Sequence, residues 1–338
     1  MTLIDAAKQF ATPELCVDYL ETMRWPDGVT CLQCGGSKVS RIQTNDTERT
    51  RKNARGQVRT VKVPGRIVYQ CQDPKCAHQF SATTGTIFHD THLPLDKWFA
   101  AVALMVNAKK GLSALQLKRD LGCAYKTAWY LAHRIRKAMG LLEQADSEPL
   151  TGTVKADETY MGAKKYDKRR KRGPWVKEPV FGVVERDGRA KTFHIPAVNR
   201  YHVINKLKDN IAVDASALYT DDSNLYDRMP ANIQKHETVN HSAKEWVRGD
   251  VHTGTIDGCW GLLKRGVIGS FHPISVKHLH RCLSEFQFKW NNRKSQDIFA
   301  LVVAALVVGA ALPYEKLIEP LEGEAGKGPE VELDGESF

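Results

Sequence analysis

Three aspartates that are far apart along the chain have the settings needed to bind divalent cations. Asp157 lies in the segment 153–160, whose β-branched residues predict a strand. Asp221 follows the predicted strand 217–220, and Asp257 lies on a later predicted helix. Two cations about 3.5–4 Å apart, held by carboxylate oxygens, can activate an attacking oxygen and stabilise a leaving oxygen. One such aspartate alone would usually belong to a turn or a helix cap, but the three in this order predict a two-metal site for phosphoryl transfer.

The predicted strand around Asp157 gives this residue a defined orientation. Because successive side chains of a strand point to opposite faces, Lys155 and Asp157 should lie opposite to Val154 and Ala156. A carboxylate that projects from the middle of a strand is costly to bury without a partner. Its position therefore favours a functional role.

The elements that must position these aspartates form a mixed α/β pattern. Segments rich in β-branched residues predict four strands, and helices complete the order β-β-β-α-β-α. Residues 186–189 predict a hairpin turn between the second and third strands. The predicted strands are 153–160, 179–185, 191–198 and 217–220, and the predicted helices are 201–211, a helix that begins near residue 255, and the amphipathic segment 276–291.

Four of the eight cysteines are grouped in two pairs. Cys31 and Cys34 enclose two residues, and Cys71 and Cys76 enclose four. Four thiolates at such spacings can surround one zinc ion and leave no open position for water. The segment is polar and lacks a core of its own, so metal binding would supply folding free energy. We therefore predict a structural Zn²⁺ at these cysteines. The unpaired cysteines are expected to be small core residues: Cys16, Cys123, Cys259 and Cys282.

Apolar residues at helical spacing from Leu93 to Met139 predict three helices, interrupted at Gly111 and around Gly122. The last two have the pattern of a helix-turn-helix, whose second helix enters the major groove of DNA. Three side chains at the start of that helix could contact base edges: Tyr125, Lys126 and Thr127. Basic side chains farther along should face phosphates or solvent: His133, Arg134, Arg136 and Lys137. An ordinary helical hairpin with a charged outer face is the alternative.

The positive charge of the chain favours a polyanionic partner. The formal net charge is +10, the sequence pI is about 9.1, and the positive residues are clustered. Nucleic acid is the leading candidate for such a partner. One cluster follows the first predicted strand and is expected to hold the DNA backbone beside the active site: Lys164, Lys165, Lys168, Arg169, Arg170, Lys171 and Arg172. A solvated run of charges is the alternative.

The sequence also indicates where the protein works. No N-terminal segment has the pattern of a secretory signal. The run 298–312 is apolar but shorter than the roughly 20 residues that a membrane-spanning helix needs, so we expect a buried or subunit-interface helix. We expect a cytoplasmic bacterial protein at the nucleoid, where reducing conditions disfavour disulfides. The acidic segment beyond Pro313 predicts a disordered tail.

Taken together, these motifs resemble the ISXO2-like transposases of the IS1595 group. The resemblance extends from about Cys16 to Arg293. It is carried by the Cys31 and Cys34 pair, residues 80–88 (FSATTGTIF), Trp98, the two helices described above, residues 157–162 (DETYMG), Thr220 with Asp221, residues 252–266 (HTGTIDGCWGLLKRG) and residues 290–293 (WNNR).

The resemblance implies an α/β catalytic domain with a ribonuclease-H-like mixed sheet and flanking helices, preceded by a zinc ribbon and a helix-turn-helix domain. It also implies cleavage and joining of DNA with two Mg²⁺ ions per active site, which Mn²⁺ could replace. The first two catalytic aspartates fall on Asp157 and Asp221. Lys264, with Arg265 beside it, stands where such families place a DNA-contacting lysine. Relatives typically have Glu in place of Asp257 and Asn in place of Gly254, and some use an Asn as the third catalytic residue. Because this chain departs from the family pattern at both positions, His252 is an alternative third ligand.

The predicted domains are the N-terminal helix and zinc ribbon (1–90), the helix-turn-helix (91–145), the catalytic domain (150–312) and the acidic tail (313–338). The predicted function is a DNA transposase that binds the terminal inverted repeats of an insertion sequence. Its partners would be double-stranded DNA, as element ends and target, and further copies of the chain in the DNA complex, with no membrane partner. Two alternatives stay open: a nuclease of the same fold that cuts without joining, and a DNA-binding regulator whose catalytic domain is inert.

Overall fold

The computed structural model describes residues 1–52, 56–63, 65–146, 148–161, 177–215, 217–227, 229, 233, 235–271 and 274–319. Two predicted features lie outside these ranges: the basic cluster 164–172, and most of the acidic tail, residues 320–338.

The N-terminal part combines two helices with small antiparallel sheets. Thr2 and Thr12 cap the two helices by accepting hydrogen bonds from backbone amides of the first turn, and Pro13 occupies the first position of the second helix. In one sheet β4 lies between β1 and β5, whereas β2 and β3 form a separate hairpin. The elements are α1 (Leu3–Gln9), α2 (Pro13–Arg24), β1 (Val39–Gln43), β2 (Thr47–Lys52), β3 (Val58–Val63), β4 (Ile67–Cys71) and β5 (Gln79–Phe80).

The three helices predicted between Leu93 and Met139 are present. Ser113 caps the second helix, and Gly122 ends it with a φ of 59°, a conformation that glycine adopts without steric cost. The helices are α3 (Leu95–Asn107), α4 (Ala114–Leu121) and α5 (Tyr125–Ala145). That α4 and α5 act as a DNA-binding helix-turn-helix stays a prediction.

The part of the chain after residue 150 contains a five-stranded mixed sheet. Its strands are β6 (Thr153–Met161), β7 (Glu178–Glu185), β8 (Ala190–His194), β9 (Ala217–Asp221) and β10 (His236–Val239). They lie in the order β10-β9-β6-β7-β8, in which β6, β7 and β8 pair antiparallel and β9 is parallel to both β6 and β10. All four predicted strands are present, although the third ends at His194 and does not extend to residue 198 as predicted. The fifth strand, β10, was not predicted because its four residues are mostly polar.

Helices cover both faces of this sheet, as expected for the ribonuclease-H-like arrangement. Helix α6 (Arg200–Asn210) packs on one face with Val154 and Ala156. Helices α7 (Gly254–Gly266) and α8 (Val276–Asn291) pack on the other face, where Lys155 and Asp157 contact α7 or the residues just before it. The predicted alternation along β6 is therefore confirmed. A short hairpin, β11 (Val247–Arg248) and β12 (Val251–His252), leads into α7.

The apolar run 298–312 contributes a buried helix, as expected. Helix α9 (Ile298–Val308) inserts Phe299, Val302 and Leu306, each 0% exposed, into the same core as the N-terminal helices and the zinc-ribbon strands. The ribbon thereby gains from distant helices a core that its own polar sequence cannot form. A last short helix, α10 (Tyr314–Ile318), follows, and its Leu317 is fully buried. The expectation of a disordered tail beyond Pro313 was therefore wrong for these residues, because an apolar side chain among the charged ones packs into the fold. In the described ranges, no helix combines the length and the apolar character that a membrane span requires.

A buried ionic cluster joins α5 to α8. Arg136 Nε donates to Glu285 Oε2 at 2.7 Å, and Lys289 Nζ donates to Glu285 Oε1 at 2.5 Å. Lys289 also donates to the carbonyl of Ala108, just after α3. The three charged side chains are almost completely buried, so their charges can be stable only as a set.

Two residues predicted to face phosphates or solvent are therefore interior residues, and that expectation was wrong. Arg134 and Arg136 are 3% and 5% exposed. The guanidinium of Arg134 donates to the carbonyls of Ile87 and His89 and lies against the ring of Trp98. Their charge pattern resembled a DNA-facing surface because the sequence does not show which helix covers α5. His133, which was grouped with them, is also buried.

We predict that Arg136→Met lowers the free energy of unfolding by about 3–5 kcal/mol, because it leaves the buried Glu285 with one cation fewer. Urea denaturation would measure the change. The control is Lys264→Met on the exposed surface of α7, which should alter stability by less than about 0.5 kcal/mol. If Arg136→Met had the same free energy of unfolding as the wild-type protein, the ionic cluster would not stabilise the packing of α5 on α8.

Candidate active site and zinc site

Asp157 and Asp221 lie side by side on adjacent strands. Strands β6 and β9 run parallel, with Lys155 opposite Tyr219. Asp157 and Asp221 are each two residues farther along, so the two side chains project from the same face of the sheet. The register thus brings together two residues that are distant in sequence.

The carboxylate of Asp157 is partly buried and held by a tryptophan. Trp260 on α7 donates from Nε1 to Asp157 Oδ2 at 2.9 Å. Gly182, opposite Asp157 on β7, makes room for the indole, since a Cβ atom there would lie 2.4 Å from the Trp260 ring. Burial raises the pKa of Asp157 to about 6, and the negative charges of Asp221 and Asp257 contribute to the rise.

Asp257 approaches from the helix side of the site. It lies in the first turn of α7, is exposed, and accepts a hydrogen bond from Thr253 Oγ1 at 3.0 Å. Its charge contributes to the raised pKa of Asp157, so the two carboxylates interact electrostatically. The helix N-terminus favours a negative charge at this position.

The three aspartates offer the hard oxygen donors that Mg²⁺ prefers, and their mutual repulsion is what a cation would relieve. The fit is best for Asp157 and Asp221, which the sheet register holds together. Within the described ranges, the group whose ligand atoms all lie close enough to share one ion is the cysteine quartet, not the aspartates. The role of Asp257 as third ligand stays a prediction.

His252, the alternative third ligand, lies in a cationic environment. The fully buried Lys155 has its Nζ 3.2 Å from His252 Nδ1 and donates to Thr255 Oγ1 at 2.7 Å. Burial and the charges of Lys155 and Arg186 lower the pKa of His252. Because a divalent ion on this imidazole would lie close to an ammonium group, Asp257 is the better candidate.

Several side chains that support the site were not predicted. Lys155 and Trp260 link β6 to the start of α7, and Glu158 accepts a hydrogen bond from Tyr226. Burial raises the pKa of Glu158 to about 7, with Asp157 and Asp221 contributing. The adjacency of Glu158 to Asp157 was the one sequence signal available. Local patterns do not show the partners of the others.

The predicted zinc ligands meet in a compact group. The Sγ atoms of Cys31 and Cys76 are 3.7 Å apart, those of Cys34 and Cys71 are also 3.7 Å apart, and all four lie within 4.8 Å of one another. The backbone amide of Cys34 helps to lower the pKa of Cys31 to about 7, which favours the thiolate that binds zinc. The longer second loop ends in a turn in which the backbone amides of Cys76 and Ala77 both donate to the carbonyl of Asp73, and Ala77 has a positive φ of 44°.

The unpaired cysteines lie elsewhere, as expected. Cys16, Cys259 and Cys282 are buried, and Cys123 is half-buried. Burial raises the pKa of Cys16 and of Cys259 to about 12, so both are neutral thiols.

The other predicted DNA-binding residues have different surroundings. Tyr125 and Lys126 are exposed at the start of α5, and the Lys126 ammonium lies 4.2 Å from the ring centroid of Tyr314. Lys137 donates to the carbonyls of Ala310 and Ala311, and Thr127 is half-buried. Lys264 and Arg265, on α7, are exposed to solvent.

Two parts of the chain match domains of known transposases. Residues 149–291 match the ISXO2-like transposase domain, and residues 11–79 match the transposase zinc-ribbon domain. A protein of Halobacterium salinarum, described as an uncharacterized protein in transposable element ISH50, is 26% identical over 298 residues, which cover 83% of this chain and 92% of that one. The transposase-domain match contains the three aspartates, and the zinc-ribbon match contains the cysteine quartet.

One solved structure shows a weak similarity. The crystal structure of a pre-cleavage Mos1 transpososome is 11% identical, with a TM-score of 0.26, and the match covers 62% of this chain and 77% of that one. A likeness this weak carries no argument about the site.

We predict that Cys34→Ser loses the bound metal, whereas the wild-type protein carries about one zinc ion per chain. Cys34 is exposed, so its replacement removes little packing and any loss of stability reports the metal. Hydrogen exchange should show lost protection in residues 31–80 and retained protection in β6 to β9. Cys123→Ser is the matched control. Full zinc content in Cys34→Ser, measured by mass spectrometry, would contradict the site.

We predict that Asp157→Asn stabilises the metal-free protein above pH 6 and changes little near pH 4. The pKa of Asp157 is raised to about 6 in the folded protein, against ~3.9 in the unfolded chain. The protonated Asp157 carboxyl group therefore causes no loss of stability below about pH 4, whereas its ionisation lowers the free energy of unfolding as the pH rises through 6. Melting temperatures across this range would test this, with the exposed Asp209→Asn as control. An equal effect of Asp157→Asn at both pH values would refute the buried-charge explanation.

Proposed function

We propose that this chain, a transposase-family protein with an ISXO2-like domain and a transposase zinc ribbon, cleaves DNA at the ends of an insertion sequence and joins them to target DNA. The observation that carries this proposal is the position of Asp157 and Asp221 at corresponding places on the adjacent parallel strands β6 and β9, inside the matched domain. Water would be the first attacking group and a DNA 3′-hydroxyl the second.

The aspartates would act as ligands for the catalytic cations. Two Mg²⁺ ions held by Asp157, Asp221 and Asp257 would activate the attacking oxygen and neutralise charge on the leaving oxygen. Trp260 holds Asp157 through Oδ2 and so reduces the freedom that the carboxylate would lose on binding. The first turn of α7 brings Asp257 to the site together with a helix N-terminus, which favours an anionic phosphate.

DNA binding would depend on exposed, positively charged side chains. Exposed cations on α7, Lys264 and Arg265, lie on the same helix as Asp257 and could contact the backbone near the cleaved phosphate. Tyr125 and Lys126, at the start of α5, are available for base contacts. We further propose that the zinc ribbon contributes to end recognition and that copies of the chain assemble on the DNA.

Two other functions share these residues and are separated by experiment. A nuclease would cleave labelled element ends without joining them to a target, so a strand-transfer assay distinguishes it. An inert DNA-binding regulator would bind ends but show no Mg²⁺-dependent cleavage. The partly buried carboxylate pair favours an enzyme. Ionisation of Asp157 beside Asp221 is unfavourable, and a protein that only binds DNA does not need such a pair.

We predict that Asp157→Asn and Asp221→Asn abolish cleavage and joining while the Kd for end DNA is unchanged, because each removes a metal ligand and little volume. Asp222→Asn is the matched control. Asp222 accepts a hydrogen bond from the side-chain amide of Asn240, and its replacement should affect cleavage and joining much less. Asp257→Asn should also lose activity, whereas Asp257→Glu should keep it.

Gel-based cleavage and strand-transfer assays on end DNA provide the measurement. Full activity of Asp157→Asn or Asp221→Asn would overturn the proposed mechanism. Normal turnover of Asp257→Asn, together with its loss in His252→Asn, would move the third ligand to His252.

A further inference from the structure

A hydrogen bond on the face of β6 that is turned away from Asp157 and toward α6 connects the chain segments that carry Asp157 and Asp221. Tyr226 lies at the end of a short 3₁₀ turn, Asn224–Tyr226, that begins soon after Asp221. Its hydroxyl donates to Glu158 Oε1 at 2.5 Å, and Glu158 directly follows Asp157 on β6. The bond thus connects the residue after one aspartate to the turn after the other.

The packing around this bond limits how Tyr226 can move. Its ring is 2% exposed and lies in the core formed by β6, β9 and α6. The turn is held from a second side by Arg200 on α6, whose Nη2 donates to the carbonyl of Asn224 at 2.5 Å and contacts Asp227 at 3.2 Å. The segment that follows Asp221 is therefore held by hydrogen bonds both to α6 and to β6.

Side-chain alternation places Glu158 on the face away from the proposed cations. Asp157 projects toward α7, where it meets Trp260, whereas Glu158 meets Tyr226 on the α6 side. An apolar pair would fill this core position without the desolvation cost of a carboxylate. A carboxylate at position 158 is explained if its hydrogen bond to Tyr226 sets the distance between the strands that carry Asp157 and Asp221.

We propose that Glu158 and Tyr226 are positioning residues that hold the Asp157 and Asp221 carboxylates at the separation needed to share a divalent cation. This inference rests on the proposed function, since it assumes that these aspartates bind metal. Loss of supporting hydrogen bonds around metal ligands typically weakens metal affinity 10–100-fold. The pair should therefore affect metal affinity more than the rate at saturating metal.

The test is calorimetric titration of the full-length protein with Mn²⁺, without DNA, alongside the Mg²⁺ dependence of cleavage. Tyr226→Phe, which removes the hydroxyl alone, should weaken Mn²⁺ binding about 10-fold or more and raise the half-saturating Mg²⁺ concentration in proportion. Glu158→Gln should bind Mn²⁺ nearly as the wild type does, because its amide oxygen still accepts from Tyr226. Tyr201→Phe, on the exposed surface of α6, is the matched control and should change nothing.

The outcomes are distinguishable. Wild-type affinity in Tyr226→Phe would overturn the inference, and so would a loss in Glu158→Gln as severe as in Asp157→Asn, because Glu158 would then be a ligand itself. The double variant Tyr226→Phe, Glu158→Gln removes the bond without leaving a buried carboxylate unpaired, and it should reproduce the loss even if Tyr226→Phe alone folds poorly. No Mn²⁺ binding by the wild-type protein would count against the proposed function and not specifically against the pair.

Discussion

The burial of the Asp157 carboxylate next to two other carboxylates is the constraint on which the arrangement around the mixed sheet depends. The parallel pairing of β6 with β9 places Asp157 beside Asp221, and burial makes ionisation of Asp157 costly. A fold without a functional use for this pair would be more stable with neutral side chains there. The surrounding contacts therefore have to hold the two strands in register against an unfavourable electrostatic free energy.

Those contacts come from both faces of the sheet. On one face α7 supplies Trp260 and is itself anchored through Thr255 to the buried Lys155. On the other face Tyr226 and the core around α6 fix the segment that follows β9. The aspartates thus lie at the edge of two hydrophobic cores, each of which restricts one part of the site.

The N-terminal part and the part that contains the mixed sheet are joined through α5, α8 and α9. Glu285 accepts from both Arg136 and Lys289, and α9 completes the core of the zinc-ribbon and helical region. A displacement of α5 by bound DNA would be resisted by this buried ionic cluster and would be transmitted to α8. The buried cluster thus connects α5, which carries Tyr125 and Lys126, to α8, which packs on the sheet that carries Asp157 and Asp221.

The sequence by itself determined which four cysteines come together and which strands carry Asp157 and Asp221, because cysteine spacing and β-branched segments are local signals. It also determined that the run 298–312 would be buried, since an apolar segment of that length has few alternatives. Only the tertiary structure decided that Arg134 and Arg136 are interior residues and that Trp260, Lys155 and Tyr226 support the aspartates. Each of these depends on which distant element packs against a side chain, and burial and hydrogen-bond partners are set by that packing and not by local sequence.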